Sequence, residues 1–351
     1  MENNIAEIAV RLTQFSHGAG CGCKIAPAVL ETILKSDLGT LDDKKLLVGY
    51  GSRDDAAVYD IGNGRALIST TDFFSPIVDD AFDFGRIAAT NALSDVFAMG
   101  GRPLLAVAIL GWPIEKLGPE LAQRVVEGGR QACHDAGIAL AGGHSIDAPE
   151  PFFGLAVTGE VEIAHIKRND TAKEGDILLL TKPLGVGILS TAQKRGKLRA
   201  EHADIGRDTM CRLNSVGVEL GRLNAVTAMT DVTGFGLGGH LLEMCQGANL
   251  AAELDLSSIP VIPEAITYIA EGCYPDGAFR NWKSYGHLIS GSDSMKYMLV
   301  LSDPQTSGGL LIAVDKEHLS TVEHLFTRDK QQFSIIGKMV ERTGEKVILA
   351  K

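Results

Sequence analysis

The sequence predicts an α/β or α+β protein with two domains. Segments typical of strands alternate along the chain with segments in which apolar residues recur at helical spacing. The 351 residues correspond to about two domains at ~150 residues each. A polar, charged stretch at 165–175 separates two halves, and we expect the domains to be 1–166 and 167–351.

Each predicted element follows from apolar spacing and from the residues that end it. Phe84, Ile87 and Ala88 begin a helix that Gly100-Gly101 ends, and Pro103 prevents its continuation. The predicted helices are 27–35, 84–99, 120–136, 187–194, 209–222, 237–246 and 316–326. The predicted strands are 66–72, 104–112, 139–141, 152–161, 176–181, 227–231, 298–301, 309–314, 333–336 and 347–350.

Composition excludes several classes of protein. The 33 basic and 44 acidic residues give a net charge of −11, so the chain has no general attraction to nucleic acid or to anionic membranes. No apolar run reaches the ~18 residues that span a bilayer, and the first four residues are unlike a signal peptide. We therefore expect a cytoplasmic protein. The 40 glycines, about 11% against a usual ~7%, predict tight turns and close approach of the backbone to a ligand.

Five aspartates lie where predicted elements begin or end, or inside a helix. Asp54 and Asp55 precede a strand, Asp72 and Asp231 end strands, and Asp95 lies in the helix at 84–99. Carboxylates of this kind bind Mg²⁺, which usually completes its shell with water and substrate phosphates. The set is therefore compatible with Mg-ATP binding in the absence of a Walker A motif. Solvated turns, helix caps and an exposed polar stripe are the alternatives.

Three further polar motifs have both a functional and a structural interpretation. Asn91 and Asp95 are four residues apart and share one helix face within an apolar segment. The stretch 141–145 follows a short predicted strand, and its backbone amides are candidates for binding an anion. The stretch 303–309 is predicted to turn between two strands. A plain turn is the alternative for each of the two loops.

The cysteines point to one reactive loop. Cys21 and Cys23 lie in the glycine-rich segment 16–24, and the other four cysteines are isolated. Cys-Gly-Cys has neither the spacing nor the second ligand pair of a zinc site. Lys24 is adjacent, and an ammonium group lowers a thiol pKa and favours the nucleophilic thiolate. His17 is a further polar candidate, with a capping or solvated histidine as the alternative.

Together these motifs resemble the selenophosphate synthetase (selenide, water dikinase) family along nearly the whole chain. The motifs are His-Gly-Ala-Gly-Cys-Gly-Cys-Lys at 17–24, Arg-Asp-Asp-Ala-Ala-Val at 53–58, Thr-Asp-Phe-Phe at 71–74, Asn-Ala-Leu-Ser-Asp-Val at 91–96, Ala-Gly-Gly-His-Ser at 141–145, Thr-Asp-Val-Thr-Gly-Phe-Gly at 230–236 and Asp-Pro-Gln-Thr-Ser-Gly-Gly at 303–309. Each motif is weak alone, but the seven in order are specific.

The resemblance implies a two-domain aminoimidazole ribonucleotide synthetase-like (PurM-like) fold with mixed sheets packed against helices. It implies that ATP, selenide and water yield selenophosphate, AMP and phosphate, which supplies selenium for selenocysteine and selenouridine. It also implies a homodimer through the N-terminal domain, Mg²⁺, and a mobile loop at 16–24 that closes over ATP. A selenium-delivery protein is a further candidate partner.

The resemblance also implies roles for individual residues. Cys21 matches the catalytic cysteine or selenocysteine, and Lys24 matches an essential lysine that also contacts the nucleotide. The magnesium ligands correspond to Asp55, Asp95 and Asp231. The other nucleotide-binding positions correspond to Ser52, Arg53, Asp54, Asp72, Asp95, Gly143, His144 and Ser145. Ser52 stands where threonine is frequent, and it keeps the hydroxyl group.

Two other functions remain compatible with parts of the sequence. A related ATP-using enzyme, such as a purine-biosynthesis ligase or a thiamin-phosphate kinase, would not be expected to need the Cys-Gly-Cys-Lys loop. A non-catalytic thiol or metal-binding module that carries selenium would not need the aspartates.

Overall fold

The computed structural model describes residues 10–18, 20–23, 29, 32, 33, 35, 43–49, 54–291 and 294–351. Lys24, Ser52, Arg53 and most of the predicted helix at 27–35 lie outside the described residues, as do the side chains of Cys21 and Cys23. In the described part of the chain, none of the helices has the length and apolarity needed to cross a bilayer.

The first half forms a six-stranded mixed sheet in the order β1-β2-β3-β6-β4-β5. Its strands are β1 (Leu46–Val48), β2 (Ala57–Gly62), β3 (Arg65–Phe74), β4 (Arg102–Trp112), β5 (Ala139–Asp147) and β6 (Phe152–Glu162). Only β4 and β5 are paired in parallel. Helices α1 (Ala81–Ala98) and α2 (Pro119–Asp135) pack together, with α1 against the sheet. This sheet therefore has a helix-covered face.

Helix α1 is buried on nearly every side, since it lies between the sheet, α2 and the second half of the chain. The side chain of Asp80 caps it by accepting a hydrogen bond from the Asp83 N–H at 2.9 Å. Where α1 crosses α2, a Cβ on Gly85 would lie 1.8 Å from the Val125 carbonyl oxygen. Only glycine permits this approach, which brings Asn91 and Asp95 of α1 into the interior.

The second half forms a seven-stranded sheet in the order β10-β13-β9-β12-β7-β11-β8. Its strands are β7 (Ile177–Leu180), β8 (Val226–Asp231), β9 (Ala251–Leu254), β10 (Ile289–Ser290), β11 (Leu310–Val314), β12 (Ser334–Val340) and β13 (Ile348–Ala350). Its helices are α3 (Val186–Lys194), α4 (Ala203–Cys211), α5 (Gly217–Arg222), α6 (Gly236–Ala248), α7 (Pro263–Ala270), α8 (Asp276–Tyr285), α9 (Met295–Ser302) and α10 (Leu319–Arg328). The α/β prediction is confirmed, and the division at 166 stays a prediction.

Two predicted elements are wrong. The predicted strand at 298–301 lies in helix α9, where Ser302 Oγ donates to the Met298 carbonyl oxygen at 2.6 Å. A short apolar run does not distinguish a buried helix from a strand. The predicted helix at 209–222 is interrupted between α4 and α5, because the Asn214 side chain donates to Ser94 Oγ and to the Gly308 carbonyl oxygen. Consequently 303–309 connects α9 to β11 and does not join two strands.

The stretch 141–145 is also corrected, because it belongs to strand β5. Ala106 pairs with Leu140 and Ala108 with Gly143, so one residue of β4 faces two residues of β5. This β-bulge lets the strand continue through the glycines. A Cβ on Gly143 would lie 2.4 Å from the Ala108 carbonyl oxygen, so the close pairing requires glycine.

Candidate active site

Three of the predicted aspartates meet in the interior between the two sheets. Asp55 lies in the bend before β2, Asp95 on α1, and Asp231 at the end of β8. Burial raises the pKa of Asp55 well above its ordinary value, and the charges of Asp231 and Asp95 raise it further. The fold thus concentrates negative charge at this point, which we call the acidic cluster.

Threonine hydroxyls orient two members of the acidic cluster. Thr230 Oγ1 donates to Asp55 Oδ1 at 2.9 Å, and Thr70 Oγ1 donates to Asp95 Oδ2. The second oxygen of Asp55, Oδ2, is buried and has no hydrogen-bond partner among the described residues. A buried carboxylate oxygen without a donor is costly, so this atom is suited to a cation.

The donor set of the acidic cluster fits Mg²⁺. Its side chains offer carboxylate oxygens, which hard divalent ions prefer. Across the described residues, no three carboxylate, histidine or cysteine side chains form a closed metal-binding group. Mg²⁺ does not require such a group, since it keeps several waters and often uses one or two carboxylates together with substrate phosphates. Asp55 Oδ2 is the atom that most needs such an ion.

Asp54 adjoins Asp55 but contacts a different part of the chain. Its Oδ1 accepts a hydrogen bond from the Asn169 N–H at 2.8 Å, and its Oδ2 lies 3.8 Å from Arg168 Nε. These contacts hold the bend before β2 against the chain that enters the second half. The nucleotide contact assigned to Asp54 stays a prediction.

Asp72 is connected to the 303–309 turn through α1. Asn91 Nδ2 donates to Asp72 Oδ2 at 2.7 Å, and Asn91 Oδ1 accepts from the Ser307 N–H at 2.7 Å. Ser307 has φ +48° and its backbone carbonyl accepts from Lys182 Nζ at 2.8 Å. The Asn91 amide therefore links Asp72 of the first half to a fully buried turn of the second half.

Gly143, His144 and Ser145 lie apart from Asp72 within one chain. Asp72 pairs with Leu155, Leu155 with Ala108, and Ala108 with Gly143. Three strand spacings at about 4.8 Å place Gly143 roughly 14 Å from Asp72 across the sheet. His144 and Ser145 are exposed on the edge strand β5.

The segment around Cys21, of which residues 16–18 and 20–23 are described, contacts the second half of the chain. We call it the Cys21 segment. Its backbone forms a 3₁₀ turn over Gly20–Cys23, and the Gly20 N–H donates to the Ser75 carbonyl oxygen at 3.1 Å. Gly20 has φ +52°, and a Cβ there would lie 2.5 Å from Thr306 Oγ1. The 303–309 turn therefore contacts both the Cys21 segment and, through Ser307 and Asn91, Asp72.

Sequence reasoning missed the hydroxyls of Thr70 and Thr230 and the buried Lys182. Lys182 Nζ donates to the Arg212 and Ser307 carbonyl oxygens at 2.6 and 2.8 Å. Burial lowers the pKa of Lys182 to about 7, and the Arg212 charge adds to this effect while Asp231 opposes it. A lysine two residues after the apolar strand β7, and a threonine directly before Asp231, were the available signals.

The fold and site define a protein of the AIR synthase-related class. The family model "AIR synthase related protein, N-terminal domain" matches residues 53–161, and the corresponding C-terminal model matches residues 173–350. A crystal structure of thiamine-monophosphate kinase from Stenotrophomonas maltophilia K279a has a TM-score of 0.65 at 20% identity, covering 88% of this chain and 92% of that one. The hydrogenase maturation protein HypE in complex with ATP has a TM-score of 0.60 at 20% identity, covering 86% of this chain and 83% of that one. At this identity the structures show the fold alone.

Curated relatives narrow the class. A selenide, water dikinase from Aeromonas hydrophila is 59% identical over 340 residues, which is 97% of this chain and 98% of the relative. One from Shewanella sp. (strain MR-4) is 62% identical over 337 residues, which is 96% of this chain and 95% of the relative. The chain belongs to the selenide, water dikinase family.

Proposed function

We propose that this chain converts ATP, selenide and water to selenophosphate, AMP and phosphate. The function is that of its relatives, which match nearly end to end and carry the name selenide, water dikinase. The observation in the structure that supports it best is the acidic cluster, with its buried and unpartnered Asp55 Oδ2. Such a cluster repels a polyanion unless a cation lies between them.

Asp55, Asp95 and Asp231 would hold Mg²⁺ at the ATP phosphates. When bound, the ion offsets the phosphate charge and withdraws electron density from phosphorus. The chain supplies orientation, because Thr230 and Thr70 direct the carboxylates of Asp55 and Asp95. Burial removes competing water and strengthens each electrostatic interaction. These metal-binding roles are proposals that agree with the positions of the residues.

The remaining site residues would bind the nucleotide or act on selenium. Asp72 would bind the nucleotide with its carboxylate oriented by Asn91. Cys21 would act as the thiolate that receives or transfers selenium, and Lys24 would offset the charge between selenide and phosphate. Ser52 and Arg53 would contact the nucleotide beside Asp54. Their support is the match of the motifs to the family.

A homodimer through the first sheet explains its exposed face. Leu105 and Val107 of β4 are exposed, whereas Ala106 between them is buried toward the helices. Phe73 and Ile146 are exposed large apolar side chains on the same sheet. Several such residues together are typical of a protein interface. A second copy on this face would supply the nucleotide contact predicted for Gly143, His144 and Ser145, which lie roughly 14 Å from Asp72 in one chain.

The compartment and the selenium source complete the proposal. The cysteines at 133, 211, 245 and 273 are free thiols, as in cytoplasmic proteins, where thiols stay reduced. A selenium-delivery protein as donor is compatible with the anionic, reactive character of selenide.

Phosphorus NMR of the anaerobic reaction with ATP, selenide and Mg²⁺ tests the function. We expect AMP, phosphate and a selenophosphate signal in equal amounts, each dependent on selenide. Asp55→Asn should suppress all three, while Asp329→Asn, at an exposed position on the second half, should leave them unchanged. ADP as the end product, or turnover without selenide, would contradict the proposal.

A further inference from the structure

A cavity of about 310 Å³ lies between the Cys21 segment and the second half of the chain. The backbone at Gly18 and Gly22 forms one wall. One face of α3 and the first turns of α8 form the opposite wall, and Thr306 of the 303–309 turn contributes to the lining. The cavity is thus bordered by the segment that carries the predicted catalytic cysteine.

Basic side chains dominate the charge of this cavity. Lys194, Arg195 and Arg280 line it, against the single carboxylate of Asp276. Within the described part of the chain, none of the three cations has a carboxylate within ion-pair distance. Their contacts are to neutral backbone carbonyls, as in the hydrogen bond from Arg280 Nη2 to the Gly22 oxygen at 2.9 Å. In a chain of net charge −11, three cations with no carboxylate at ion-pair distance among the described residues form a positive site.

The three cations differ in how many N–H donors remain to bind an anion. Lys194 Nζ donates to the carbonyl oxygens of Ser16, His17 and Gly18, so its three donors are occupied in holding the Cys21 segment. Arg195 contacts the Gly272 oxygen through Nη1 and approaches the Tyr274 oxygen through Nη2. A guanidinium group has five N–H donors, so both arginines retain donors for an anion.

The 303–309 turn lies between this cavity and Asp72 of the predicted nucleotide-binding site. Thr306 lines the cavity, and the next residue, Ser307, donates its N–H to Asn91, which in turn contacts Asp72. An anion in the cavity would therefore be separated from Asp72 by this turn and Asn91. This separation limits the repulsion between a selenium anion and the carboxylates.

We propose that this cavity binds the anionic selenium substrate, with Arg195 and Arg280 as its substrate-contacting cations and Lys194 as the residue that positions the Cys21 segment. The inference rests on the proposed selenide, water dikinase activity and extends it to a selenium site distinct from the ATP site. The cavity volume exceeds that of hydroselenide, which leaves space for the end of a selenium-carrying group beside Gly22.

Anaerobic steady-state kinetics with hydroselenide and ATP varied separately tests this inference on the full chain. Arg280→Met and Arg195→Met should each raise the KM for hydroselenide about fivefold relative to the KM for ATP, as expected for an exposed charge. Arg280→Lys should recover part of the loss. The difference in hydroselenide KM between each variant and the unmodified chain should shrink as ionic strength rises, because screening weakens the contribution of the exposed cation.

Arg328→Met on α10 is the matched control, since Arg328 is equally exposed, pairs with Asp329 and does not line the cavity. Its two KM values should equal those of the unmodified chain. Wild-type hydroselenide KM in both cavity variants would overturn the inference, and so would an equal rise in both KM values. Failure of the proposed function is distinguishable, because the unmodified chain would then form no selenophosphate.

Discussion

The variant Asp55→Asn distinguishes the effect of the acidic cluster on stability from its role in catalysis with Mg-ATP. The amide keeps an oxygen that accepts from Thr230 Oγ1, so the local geometry is retained. It removes a buried charge whose second oxygen has no partner among the described residues. Without Mg²⁺ we therefore expect the variant to be more stable than the unmodified chain, and with Mg-ATP we expect it to be less active.

The magnitudes follow from the burial of Asp55 and its neighbours. An unsatisfied buried polar group costs about 1–3 kcal/mol, and more when charged. Recovering that amount raises Tm by roughly 1–4 °C at neutral pH for a chain of this length. Because burial, Asp231 and Asp95 raise the pKa of Asp55, its charging lowers stability as pH rises above the ordinary value of 3.8. The variant should lose this part of the pH dependence.

The activity change is larger than the stability change. A bound metal ion contributes several kcal/mol of charge stabilisation in the transition state, so kcat/KM should fall at least about a hundredfold. Differential scanning fluorimetry with and without Mg²⁺, together with AMP release, measures both effects. Asp176→Asn is the control, because Asp176 also has a pKa raised by burial but contacts Thr227 and Lys173, outside the cluster. A normal Mg²⁺-induced rise in Tm and normal AMP release in Asp55→Asn would refute the reasoning.

Three other predictions concern the 303–309 turn and the first sheet. Asn91→Ala leaves the buried Ser307 N–H without its acceptor, so urea unfolding should show a free energy of unfolding lower by about 1–3 kcal/mol. Titration with ATP should show a weaker affinity, because Asn91 also orients Asp72. Unchanged values in both measurements would contradict the link to Asp72. Burial raises the pKa of Asp303 to about 7 from 3.8, so the stability associated with its protonated form is lost as pH rises through about 7. Tm of Asp303→Asn should therefore depend less on pH between about 4 and 7, and an unaltered slope would exclude this contribution. Leu105→Glu should shift sedimentation from dimer to monomer, while Tyr59→Glu on β2, which β3 and β6 separate from β4, should not. A dimer in both variants would move the interface elsewhere.

Local patterns predicted most of the elements around the site. Strand β3 and helix α1 were predicted within a few residues, because apolar periodicity and Gly100-Gly101 are local signals. Helix α9 was not, because a short apolar run is compatible with either a helix or a strand. The predicted strand at 139–141 is shorter than β5 for a related reason, because the glycines that follow are locally typical of a turn. Pairing with β4 forms a bulge around these glycines, so the strand continues.

The residue types of the site are readable from the sequence alone: the Cys-Gly-Cys-Lys segment, the aspartates, and seven motifs in the order of one family. The tertiary structure decided which of these residues meet. It brought Asp55, Asp95 and Asp231 together, and directed Asp54 to Asn169 although it adjoins Asp55. The physical reason is that charge repulsion, desolvation and hydrogen bonding depend on distances between residues up to 176 positions apart, such as Asp55 and Asp231, which local periodicity does not encode.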